Sequence, residues 1–230
     1  MRALFIVVRI AGALAILAAI VAQLARTQQF WADHGILHME NLYVNFFSFF
    51  TIESNVGTVV VFAVGAVLLI RKREDPRWFA VLRACVTSYM AVTGIVYNAL
   101  LRGVNVSEGA VVPWSNEILH VIGPLLIVLD YLFATDRVRL GWRTIWWVVS
   151  FPIVWAVYTM IRGPLAYNDL AQKRTWYPYP FLDPANSPEG YVSVLFYVVL
   201  IAAVIGGVGA LVVLVSRRRE RWPLPVHATA

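Results

Sequence analysis

Charge is scarce in this sequence: Asp, Glu, Lys and Arg make up 14% of its residues, while AVILMFWYC make up 60%. With a mean hydropathy of +0.70, the chain is too apolar for a water-soluble globular domain, and its class is integral membrane. Cysteine is nearly absent. Cys85 stands alone inside an apolar run, which excludes a disulfide within the chain, a cysteine-rich metal centre and CxxC redox chemistry. The roughly ten-residue alternating segments of an outer-membrane barrel are missing, so helices are the only plausible spans. Internal repeats, low-complexity tracts and a second soluble domain are missing too. The net charge of +6 lies in short clusters between apolar runs rather than along one face, so nucleic acid is not an expected partner.

Apolar runs of about twenty residues are what the sequence has in abundance. Crossing the hydrocarbon takes about 20 such residues, and six stretches qualify: 3–24, 44–70, 79–101, 114–134, 143–162 and 190–215. The expected fold is an all-α, six-helix polytopic bundle over residues 1–222, followed by a disordered tail, 223–230. The first run is too long for a signal-peptide core, and Ala22-Gln23-Leu24-Ala25 is a poor cleavage site, so it is read as helix 1.

Basic residues set the orientation. Twelve fall on one side, in clusters such as Arg71-Lys72-Arg73 and Arg217-Arg218-Arg219. Five fall on the other: Arg26, Arg102, Arg162, Lys173 and Arg174. Both termini are therefore expected in the cytoplasm, in a multi-pass protein of the plasma membrane. Arg9 and Arg83 lie within helices near the basic side and are expected to snorkel outward. On the other side, 163–189 holds five of the eleven prolines and the run Trp176-Tyr177-Pro178-Tyr179-Pro180-Phe181. Such aromatics settle at headgroup level, and the stiff backbone suits an ordered cap. Ala11, Ala15 and Ala19 in helix 1, and Ala202, Gly206 and Ala210 in helix 6, recur every four residues and suit close packing within one bundle.

Polar side chains inside the hydrocarbon mark a site or an internal cavity. In helix 2, Ser48, Thr51, Asn55 and Thr58 are 3, 4 and 3 residues apart and share a face, with Ser54 beside them. Glu53 lies about 200° round the helix from Thr51. Isolated Ser and Thr hydroxyls would bond back to their own helix carbonyls, but a stripe of four that includes an Asn is less easily explained so. In helix 4, Asn116 and Glu117 precede His120 by four and three residues, so either can orient the ring. Gly123 and Pro124 should loosen the helix just beyond. His120 is the only histidine in a span, so a bis-histidine haem site lacks its second ligand. No cofactor or metal is expected.

At 1.5 Å per residue, Thr51 lies roughly 10 Å below the outer end of helix 2, and His120 roughly 9 Å below Trp114. Tyr97, Asn98 and Arg102 on helix 3, and Tyr158 and Arg162 on helix 5, reach the same layer. A hydroxyl and an imidazole at one level are the minimum for nucleophilic acyl transfer: the imidazole takes the hydroxyl proton, and donors such as Asn55, Asn98 or Tyr97 hold the oxyanion.

Phe50-Thr51, the pattern Trp114-x-Asn116-x-x-x-His120 with Pro124 beyond it, and the run Trp176 to Asp183 resemble the androgen-induced membrane hydrolase family. Animal members of that family hydrolyse fatty-acid esters of hydroxy fatty acids. FTIESN and WYPYPFLDP look closest to its bacterial six-helix relatives. The resemblance runs through all six spans in order and implies a threonine nucleophile at Thr51 and a histidine base at His120. Three readings stand side by side. The first is an intramembrane lipid-ester hydrolase, with Asn116 or Glu117 fixing the imidazole, Arg162 among the substrate contacts, and membrane lipids as surroundings and lipid esters as substrate. The second is a protein that binds or transports a small polar or lipid ligand in the same layer. The third is a structural partner subunit. GxSxG, HExxH and a glycine-rich phosphate loop are all missing.

Overall fold

The computed structural model describes residues 2–36, 39–104, 111–134 and 136–217. The expected disordered tail, 223–230, and His38 lie outside them. Among the described residues there are helices and loops and no strand ladder, and six helices are long and apolar enough to cross a membrane. They are α1 (Arg2–Asp33), α3 (Phe50–Ile70), α4 (Arg77–Leu101), α5 (Pro113–Phe133), α6 (Thr144–Arg162) and α7 (Tyr191–Arg217). A short helix, α2 (Met39–Phe47), precedes α3. The central element is α4, the most buried span, which packs against α3, α5, α6 and α7, while α1 packs on α3 and α5.

Three features depart from expectation. Helix 1 runs nine residues beyond 24, and much of the loop expected at 25–43 is helix. Helix 2, expected as one run over 44–70, is broken at Ser48 and Phe49. Phe49 is extended, with φ −73° and ψ 123°. The carbonyl of Ser48 leaves the helical ladder and accepts the Trp155 indole N–H at 3.0 Å, so a side chain from α6 holds the break open. Thr51 consequently sits in the first turn of α3 rather than two turns below the end of a longer helix.

The third departure concerns Arg9 and Arg83. They do not snorkel: they are 1% and 2% exposed and share three carboxylates. Arg9 pairs with Asp130 (2.9 Å) and Asp136 (2.6 Å), and Arg83 with Asp75 (3.0 Å), Asp130 (2.7 Å) and Asp136 (2.9 Å). Burying charge in this way requires such pairing, because desolvation costs several kcal/mol per ion. Gly65 makes room for it, since a Cβ there would lie 2.9 Å from an Arg9 guanidinium nitrogen. The network joins α1, α4 and α5 at one end of the bundle, well away from Thr51.

The small-residue rows also pack differently. Ala11 and Ala202 are exposed, and the seam of α1 is Gly12, Ala13, Ile16, Ala19 and Ile20. In α7, Gly209 rather than Gly206 permits close approach, against Val148.

Two spans contain a π turn, at Tyr97–Leu101 and Ile118–Ile122. The second has a clear cause. Pro124 has no N–H to give the carbonyl four residues back, that of His120, and its ring crowds that position. The Gly123 N–H reaches instead to Ile118. At the other end of the bundle the segment after α6 folds as a cap, with 3-10 turns at Pro180–Leu182 and Pro184–Asn186. Trp176, Tyr179 and Leu182 are buried beneath it, so these two aromatics point into the protein rather than into the headgroup layer.

Candidate functional site

The polar stripe expected on helix 2 is buried as a whole, with Ser48 at the break and Thr51, Ser54, Asn55 and Thr58 on α3. Three of its hydroxyls bond back along the chain, Ser48 to Val44 (2.6 Å), Ser54 to Phe50 (2.7 Å) and Thr58 to Ser54 (2.9 Å). Thr51 differs. Its Oγ1 lies 3.3 Å from the Tyr179 phenol oxygen, which also accepts the Thr51 backbone N–H at 3.2 Å. Burial pushes the Tyr179 phenol up to about 12, so it keeps its proton at neutral pH and remains a donor. Edge-to-face contacts of Phe49 with Tyr179 and Trp176 help to seat the cap on this turn.

On α5, His120 Nδ1 lies 3.0 Å from the carbonyl oxygen of Asn116. A carbonyl only accepts, so Nδ1 carries the hydrogen, which leaves Nε2 to present a lone pair whenever the ring is neutral. Asn116 thus orients the ring through its backbone. Its side chain donates instead to the Tyr97 phenol oxygen at 2.6 Å. The Tyr97 ring stacks on the imidazole with centroids 4.2 Å apart and planes at 27°. This stack joins the two π turns, an irregularity that recurs at functional sites in helical proteins.

Two cavities meet here. The larger, about 320 Å³, is apolar and lies among α3, α4, α6, α7 and the cap. The smaller, about 130 Å³, reaches Gln23, Thr27, Asn116 and His120. Thr51, Tyr97, Leu101 and Tyr179 line both. Thr51 and His120 therefore face one space, although the partner of the Thr51 hydroxyl is Tyr179 and not the imidazole.

The other expected residues divide. Asn55 is buried, but its amide nitrogen is spent on the carbonyls of Thr51 (2.8 Å) and Leu119 (3.0 Å), which tie α3 to the π turn of α5. It is not positioned as an oxyanion donor. Asn98 is exposed and bonds to Gly94 and Arg102, so it is not one either. Glu117 faces Arg102 in an exposed two-bond pair at 3.2 and 3.3 Å and does not touch the imidazole. Arg162 donates to Asn45 at 2.5 Å and lies over Trp176, lining neither cavity. Glu53 also lines neither. Sequence reasoning missed Tyr179, Gln23 and Thr27. The signal for Tyr179 was its position between two prolines, which fix the backbone on both sides.

Searches of protein-family models, curated proteins and solved structures find no match to this chain.

Proposed function

We propose that the protein is an intramembrane hydrolase of lipid esters. One observation carries the reading: among the described residues, the one hydroxyl of α3's polar stripe not bonded to its own helix and an imidazole whose Nδ1 is held by a backbone carbonyl open onto one cavity, which shares its wall with an apolar chamber. The resemblance in the Thr51 and His120 motifs supports the same assignment. A substrate ester would lie between the two residues. Thr51 Oγ1 attacks the acyl carbon while its proton passes to His120 Nε2, and the oxyanion faces the Tyr179 phenol. Collapse breaks the bond to the alcohol, whose oxygen takes the proton from His120. Water then cleaves the acyl-threonine by the same route, releasing the fatty acid and restoring the hydroxyl.

The basic residues at the far end support a plasma-membrane protein with both termini cytoplasmic and the cap outside. The test is labelling of membranes with a fluorophosphonate probe, comparing the unmodified protein with Thr51→Ala and His120→Ala at matched abundance. The expected result is labelling lost in both. Persistent labelling of Thr51→Ala refutes the nucleophile. The Thr51–Tyr179 bond favours a second reading, a lipid-binding protein without chemistry. It predicts no labelling and a ligand-dependent rise in melting temperature that survives in His120→Ala.

A further inference from the structure

Of the described residues that line the larger cavity, Ile153 on α6 and Ala202 on α7 are the two that are exposed, whereas those from α3, α4 and the cap are buried or half-buried. The chamber therefore opens between α6 and α7, on the outer surface of the bundle, and its rim is aliphatic on both sides.

The two helices touch below this rim and part at it. Gly209 packs on Val148, where an added Cβ would stand 3.0 Å from the valine side chain. One turn nearer the cap, a Cβ on Gly206 would meet open space, and one turn further Ala202 borders the chamber. The facing helix supplies a cause. Pro152 lies inside α6; it has no N–H for the Val148 carbonyl and its ring crowds that oxygen, which bends a helix. Phe181 and Leu182 of the cap line the chamber at its other end.

Depth identifies what can enter. At 1.5 Å per residue, Ile153 lies about 14 Å below Arg162, the cap-side end of α6, and Ala202 about 17 Å below Tyr191, the cap-side end of α7. In a hydrocarbon core about 30 Å thick, both stand near the middle. A polar solute would have to shed its water to arrive there, whereas a lipid acyl chain is the medium itself. From the rim the chamber runs past Val92 and Thr93 to Thr51 and Tyr179.

We propose that the gap between α6 and α7 is a lateral portal, through which the acyl chain of a lipid slides from the bilayer interior to Thr51. The substrate is then an ester whose acyl chain already resides in the membrane, not one delivered from water. The acyl-chain site stands on the cavity and its opening; its use for substrate rests on the hydrolase reading.

The experiment uses the full-length protein in phosphatidylcholine nanodiscs and palmitic acid carrying a mid-chain diazirine, with crosslinked residues mapped by mass spectrometry. Val92 and Thr93 are 2% and 6% exposed, so label on them reports a chain inside the chamber rather than one lying against the outside of the bundle. Label is expected there in the unmodified protein. Ala202→Trp and Ile153→Trp each place an indole across the opening and should lower it about tenfold. Leu200→Trp, which adds the same ring at similar depth on the opposite face of α7, should leave it unchanged. Label on Val92 and Thr93 that persists in both rim variants overturns the portal, and so does its absence from the unmodified protein. Either result leaves the hydrolase standing if fluorophosphonate labelling depends on Thr51. Portal-dependent label without any fluorophosphonate reaction upholds the portal and removes the hydrolase.

Discussion

Asp130 accepts three charge-assisted hydrogen bonds, from Arg9 Nε at 2.9 Å, Arg9 Nη2 at 3.2 Å and Arg83 Nη2 at 2.7 Å. Asp130→Ala removes all three and leaves two buried guanidinium groups to share Asp136 and Asp75. Breaking a buried pair by deleting one partner costs about 3–5 kcal/mol, whereas an exposed pair is worth about 0–1 kcal/mol. At about 1.4 kcal/mol per tenfold, the folded-to-unfolded ratio should fall roughly 10²- to 4 × 10³-fold. Glu117→Ala is the internal control, because its pair with Arg102 is about half exposed, at 45% and 48%. Unfolding in mixed micelles of increasing SDS fraction, followed by tryptophan fluorescence, measures both variants. A midpoint for Asp130→Ala equal to that of Glu117→Ala would show that the arginines are solvated, and would refute the burial argument.

Three further outcomes are expected. Burial raises the Asp75 carboxyl from 3.8 to about 6 against the pull of Arg83, so the folded protein holds this proton more tightly than the unfolded chain does. Its contribution to stability is then fully present below about pH 4 and lost as the pH rises through about 6. For Asp136, burial alone would raise the carboxyl, but Arg83 and Arg9 overcome it and hold it at about 2; its contribution is present above about pH 4 and lost as the pH falls towards 2. Asp75→Asn should therefore flatten the decline of the SDS midpoint between pH 4 and 6, and an unchanged slope contradicts this. Tyr179→Phe removes the partner of Thr51 Oγ1 and should slow fluorophosphonate labelling about 10²–10³-fold, as for loss of one oxyanion donor; labelling at the unmodified rate excludes that role. Gly163→Ala would place a Cβ 2.1 Å from the Tyr177 ring and should displace the cap, read as faster proteolysis within 164–189 than in the unmodified protein.

Hydropathy made the six spans legible, because each needs its own run of about twenty apolar residues and nothing distant alters that count. The break at Ser48 and Phe49 was not legible. Neither glycine nor proline marks it, and the group that stabilises it, the Trp155 indole, comes from another helix. Arg9 and Arg83 lie within helices as expected, but their surroundings were not legible. Asp130, an acid inside an apolar run, was the signal that could have corrected the snorkelling expectation, since such a residue needs a partner. In the site, Thr51 and His120 could be picked out as polar groups in apolar runs, and the structure brings them to one cavity. Asn98, Glu117 and Arg162 share their layer but are occupied by Arg102 and Asn45, because a depth estimate fixes height and not direction. Tyr179 belongs to a loop whose path no periodicity describes.

The Arg9–Asp130 pair also has a consequence for biogenesis. Its two members are 121 residues apart, and at about 5–20 residues per second the ribosome releases Asp130 roughly 6 to 24 s after Arg9. Throughout that interval the first span holds a cation before either carboxylate that bonds to it, Asp130 or Asp136, has been synthesised, so the side chain must reach for the nearer membrane surface. The outward-pointing arrangement that the finished protein rejects is thus the nascent chain's waiting position, which ends when α5 brings Asp130.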